Sequence, residues 1–114
     1  MRATTHYLHL DADIYQLVAS GSKTVESRLN DEKRQLIQVG DMIIFKDRGS
    51  NHTLTASVTA LEHYDTFEAL FATRPARDFG GPDTEWLLGQ VHGFYSQEDI
   101  TRYGVLGIVI RLQD

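Results

Sequence analysis

Gly21-Ser22-Lys23-Thr24-Val25-Glu26-Ser27-Arg28 places charges of both signs on one short stretch, directly after a predicted helix end. Upstream, Ile14, Leu17 and Val18 recur at i, i+3 and i+4, which makes one apolar helical face. Asp11 or Asp13 offers a carboxylate to the exposed N–H groups of the first turn. Gly21 suits the left-handed position that closes a helix. A helix over residues 12–20 is the expectation. Downstream, Thr24 to Leu29 alternates polar with apolar or small residues and predicts extended chain. Thr24, Glu26 and Arg28 then share a face. Lys23 joins them only if the chain turns at the helix exit, which Gly21 allows. In a cleft such a trio is useful chemistry. Lysine and arginine hold a phosphate or a developing oxyanion. A carboxylate takes a proton from water or a ribose hydroxyl, or accepts a hydrogen bond from the exocyclic amine of a base. On an open surface the same trio is a solvated ion-pair strip of little energetic weight.

Working outward, Tyr7 to Leu10 predicts a first strand. Val39-Gly40-Asp41 is a turn signal before Met42-Ile43-Ile44-Phe45, a compact buried strand. Residues 52–61 alternate most clearly, with Leu54, Ala56, Val58 and Ala60 on one face. Asp65 or Thr66 caps a short helix that turns Phe67, Leu70 and Phe71 inward. Residues 74–95 hold both prolines and Gly80, Gly81, Gly89 and Gly93. They predict a helical turn near Thr84 to Leu88 inside a long irregular segment, and such segments are often functional. Phe94 is expected in the core, and Trp86 as a helix anchor or a pocket wall. Ser96 caps a helix over residues 97–103, which Gly104 ends before a last strand, Val105 to Leu112. Strands outnumber helices, so the expected class is α+β, a small β-barrel of short mixed strands with peripheral helices.

The chain has 114 residues, 41% of them hydrophobic and 24% charged, which suits one domain over residues 1–114. It has no cysteine, which excludes disulfides, thiolate metal sites and a thiol nucleophile. Without a signal-like or membrane-spanning apolar run, a cytoplasmic protein with no membrane partner is expected. The net charge is −5, against broad electrostatic binding of nucleic acid. All of it falls in residues 51–114. Residues 1–50 are balanced and include Arg2, Lys23, Arg28, Lys33, Arg34, Lys46 and Arg48. A local basic site there remains open, with Lys46 and Arg48 extending its rim. Tyr95 and Ser96 sit where a helix begins, so a stacking ring and free N–H groups are a further candidate ligand contact. The five histidines lack metal-ligand spacing, and neither a metal nor a cofactor is expected. No feature speaks to oligomeric state.

The pattern Gly-x-Lys-x-x-Glu-x-Arg at 21–28 resembles the signature of the ASCH domain family, which has the PUA-like β-barrel fold. Residues 29–34 and Val39 to Phe45 resemble the segment that follows in that family, and Tyr95 to Ile108 resembles its end. The resemblance covers essentially the whole chain. It implies a cleft in which Gly21 shapes the turn and Lys23, Glu26 and Arg28, beside Thr24, meet RNA or a small nucleoside-like ligand. It also implies a hydrolase alternative with Lys23 and Glu26 catalytic: a single-strand ribonuclease, or an amidohydrolase on N4-acetylcytidine. In the amidohydrolase subgroup a threonine stands where this chain has Glu26. That subgroup uses a later glutamate, for which Glu62 and Glu68 are both candidates.

Overall fold

The computed structural model describes residues 3–113; Arg2, counted among the basic residues above, lies outside them. Strand β1 (Thr5–Leu10) leads into helix α1 (Ala12–Ala19), then β2 (Val25–Leu29), β3 (Met42–Asp47) and β4 (Thr53–Tyr64). Helices α2 (Phe67–Phe71), α3 (Thr84–Phe94) and α4 (Gln97–Tyr103) follow, and β5 (Val105–Leu112) closes the order. A short 3₁₀ turn at Ala76–Phe79 joins α2 to α3. The fold is α+β: five strands in the order β1-β3-β4-β5-β2 curl into a half-barrel with the helices around it. The strands are mixed, with β1 parallel to β3 and the other pairs antiparallel.

Two apolar cores lie on opposite faces of β5. Leu106, Ile108 and Ile110 join Leu8, Phe45, Val58 and the α1 residues Tyr15 and Val18. Val105 joins Val25, Leu29, Phe67, Phe71, Phe79, Leu87 and Val91. A strand covered on both sides reads as a near-continuous apolar run, as Val105 to Ile110 does. Glu26 pairs in register with Ile108, and Arg28 with Leu106. Directly paired residues share a face, so β2 turns Glu26 and Arg28 towards the first core and Val25 and Leu29 towards the second.

Three expectations change. The alternation of β4 holds through Val58 and then shifts, because a bulge separates Val58 from Ala60. One extra residue reverses which side chains face in, so Leu61, not Ala60, packs on the first core. Residues 84–94 form one eleven-residue helix, not a single turn in an irregular segment. Gly89 and Gly93 suggest loop, yet both sit on its open side, where an added Cβ would meet nothing within 4 Å. Finally, Phe94 is 68% exposed and not in the core.

Among the described residues, no helix is long and apolar enough to cross a membrane.

Candidate functional site

The site begins where α1 stops. Gly21 takes φ +82°, and the Lys23 amide reaches back to the Leu17 carbonyl at 3.0 Å. This reversal swings Lys23 back over the strand that follows. The Thr24 amide then donates to the Asp78 carbonyl at 2.9 Å, and its own carbonyl accepts from Ile110 at 3.0 Å. Both bonds fix the start of β2, while the Thr24 side chain stays exposed.

Lys23 and Glu26 are 7% and 3% exposed, so the trio is no surface strip. Lys23 Nζ donates to Glu26 Oε1 at 2.8 Å and Arg28 Nη2 to Oε2 at 3.0 Å. The Ser27 amide adds a third donor to Oε1 at 3.1 Å. Arg28 Nη2 also donates to the His9 carbonyl at 3.3 Å, tying edge strand β2 to edge strand β1. Burial pushes the Glu26 carboxyl up, but the charges and hydrogen bonds of Lys23 and Arg28 outweigh it and hold it at about 2. Burial likewise depresses the Arg28 guanidinium, and Glu26, helped by Tyr95, more than reverses this and raises it.

These residues form the polar side of a cavity of about 160 Å³. His9, Asp11 and Ile14 line one edge of it. Its apolar wall is Phe71, Phe79 and, from α3, Trp86, Leu87 and Val91, with Phe94 and Tyr95 after them. Arg48 also lines it, paired with Asp11 at 3.2 Å. Two lining residues carry buried polar atoms without a hydrogen-bond partner among the described residues, Ser27 Oγ and Arg28 Nε. Buried polar atoms are rarely left unpaired, and Asn30 Oδ1 and Arg34 Nε, outside the cavity lining, are two more. Lys23 plus Arg28 against Glu26 leaves one excess positive charge.

The other expected residues are placed as follows. Tyr95 lines the cavity and stacks on Phe67, with ring centroids 5.8 Å apart. The Ser96 hydroxyl is used locally, accepting from the Asp99 amide at 3.1 Å to cap α4. Lys46, Thr24, Gly21 and Ser96 are not in the cavity lining. Neither glutamate left open joins it: Glu62 pairs with Arg74 and Glu68 lies beside His92. Among the described residues no group of three or more His, Cys, Asp or Glu is placed to hold a metal ion.

One residue had no sequence signal beyond being a glycine. Gly80 ends the 3₁₀ turn with φ +91°, and an added Cβ would lie 2.8 Å from Lys23 Cδ. The turn thus lies directly on the Lys23 stem. Gly80→Ala is expected to lower stability by about 1–2 kcal/mol, from the left-handed backbone alone, and to displace Lys23. Thermal unfolding together with a ligand titration checks it.

The ASCH domain family model matches residues 8–112. A search of curated proteins finds no match. Among solved structures, the hypothetical protein PH0355 is 28% identical with a TM-score of 0.85, covering 96% of this chain and 100% of that one. The Pyrococcus furiosus protein PF0455 is 27% identical with a TM-score of 0.78, covering 97% and 99%. The ASCH domain of Lactobacillus crispatus is 17% identical with a TM-score of 0.68, covering 96% and 79%, and so shares the fold. With the family model matching nearly the whole chain, this protein belongs to the ASCH domain family.

Proposed function

We propose that the cavity binds single-stranded RNA, or a modified nucleoside of the same chemistry, by seating one base against the Lys23–Glu26–Arg28 trio. The observation that carries this reading is the pairing of a buried, net-positive polar side with an aromatic wall around a space of about 160 Å³. A cavity of about 150 Å³ accepts a benzene ring, so this one suits a single six-membered ring. Both carboxylate oxygens of Glu26 are already engaged, so the open valences are the donors of Lys23 and Arg28 and the Ser27 hydroxyl. They suit the carbonyl and ring-nitrogen acceptors of a base, or a phosphate. The ASCH resemblance points the same way. A site with one excess positive charge makes few phosphate contacts. For one such contact, log affinity should fall against log salt with a slope of about −0.7.

The hydrolase alternative asks Glu26 to act as a base. A general base works best with a pKa near the operating pH. At about 2, and already accepting three hydrogen bonds, Glu26 is better suited to holding Lys23 and Arg28 than to taking a proton. The test incubates wild type and Lys23→Ala with a single-stranded RNA containing N4-acetylcytidine. Mass spectrometry and a binding titration follow. Binding by wild type with an unchanged oligonucleotide is expected. Strand cleavage, or loss of the acetyl group, by wild type alone overturns the binding-only reading and chooses between the two reactions.

A further inference from the structure

Helix α3 carries Trp86, Gln90 and Phe94 at i, i+4 and i+8, and all three line the cavity. Trp86 marks the Lys23 end, because Gly81, next to the turn on the Lys23 stem, lies against its ring. Phe94 is at the other end, beside Tyr95, with ring centroids 6.4 Å apart. At about 1.5 Å per residue, Trp86 and Phe94 stand about 12 Å apart along the helix. That exceeds three stacked-base steps of about 3.4 Å. One base held against Lys23 therefore leaves Phe94 uncovered.

Singly exposed apolar residues are common on proteins. Tyr7, Leu36 and Val39 are also exposed, and none of them lines the cavity. Phe94 differs: at 68% exposure it continues the apolar wall outward from the cavity into solvent.

We propose that Phe94 is a second stacking position, which takes a base further along the strand than the one seated against the trio. The inference rests on the base-binding reading above and narrows its ligand to a strand of at least three nucleotides. Aromatic stacking suits this position because every base has a flat face, so it adds affinity without demanding a sequence. Gln90, an amide between the two aromatic positions, carries both donors and an acceptor for the backbone or sugar that joins the two bases. Phe94 packs little against the protein, so truncating it leaves the fold intact.

Trp86 is the only tryptophan in the chain and lines the cavity, so its fluorescence reports occupancy directly. The probes are the four ribonucleosides, N4-acetylcytidine and a random-sequence RNA hexamer. They are titrated into wild type, Phe94→Ala and Phe94→Tyr. Wild type is expected to bind the hexamer about tenfold or more tighter than its best nucleoside, a gain within the range of one base–aromatic stack. Phe94→Ala should lose more of its hexamer affinity than of its nucleoside affinity, so that the gain disappears, while Phe94→Tyr should retain it. An unchanged hexamer affinity in Phe94→Ala, or an equal loss for nucleosides and hexamer, overturns the inference while leaving base binding in place. Failure of wild type to bind any probe overturns the base-binding reading, and this inference with it.

Discussion

Glu26→Gln is expected to lower stability by about 3–5 kcal/mol, because it leaves Lys23 and Arg28 as two buried cations without a counter-charge. At about 4 °C per kcal/mol for a domain of this size, the melting temperature should fall by about 12–20 °C. Shape is conserved in this variant, so no cavity obscures the result. The acid limb of the wild-type stability curve gives a second, independent measure. The Glu26 carboxyl is held at about 2, against 4.5 unperturbed. A depressed carboxylate stabilises the fold while it is ionised. Its contribution is complete above about pH 4.5 and is lost as pH falls towards 2. The difference corresponds to about 3 kcal/mol at roughly 1.4 kcal/mol per unit. That agrees with the cost of breaking the trio. Urea unfolding of wild type from pH 7 to pH 2 should show this acid loss, and Glu26→Gln should lack it. Superimposable acid limbs, with an unchanged melting temperature, would mean the trio is solvated and not an anchor of β2.

The trio was legible in the sequence because its geometry is local. A glycine turn after α1 and the two-residue period of β2 are enough to bring Lys23, Glu26 and Arg28 together. Its burial was not legible. Val25 is 1% exposed and Glu26 3%, so β2 is covered on both faces although its sequence alternates like a half-exposed strand. The cover comes from parts of the chain far away in sequence, the turn at Gly80 and helix α3. Helix α3 was itself obscured, because Gly89 and Gly93 weigh as loop formers while Leu87 and Val91 on the opposite side hold the helix down. Tertiary packing overrides intrinsic propensity there. The caps of α2 and α4 were easier, whereas Asp11 stands at the N-cap of α1 without a side-chain bond to its first turn. Thr66 and Ser96 accept from the amides of Ala69 and Asp99, and each needs only its own first turn. The bulge in β4 had no signal, since Ala60 and Leu61 are both apolar and either phase suits them. The barrel-like sheet of mixed strands followed from element order, and the ASCH family from the motif at residues 21–28 with the segments after it.

Lys23→Met should separate what the trio does for the fold from what it does for a ligand. The methionine keeps an unbranched stem beneath Gly80 and removes only the ammonium. Glu26 still accepts from Arg28 at 3.0 Å and from the Ser27 amide at 3.1 Å, so one anion remains balanced by one cation. The melting temperature should therefore fall less than in Glu26→Gln, which leaves two cations facing each other. Binding should respond in the opposite order of severity. Losing one hydrogen bond to a charged group costs about 1.5–3 kcal/mol, or about 10- to 150-fold in Kd. The excess positive charge disappears as well, so the remaining affinity should depend less on salt. Trp86 fluorescence gives the Kd and thermal unfolding gives the stability, both on one preparation. A Lys23→Met protein that binds RNA as tightly as wild type would make Lys23 a counter-ion for Glu26 and nothing more. The ligand's hydrogen bonds would then have to come from Arg28 Nε and Ser27 Oγ, the two buried polar atoms on that wall without a partner among the described residues.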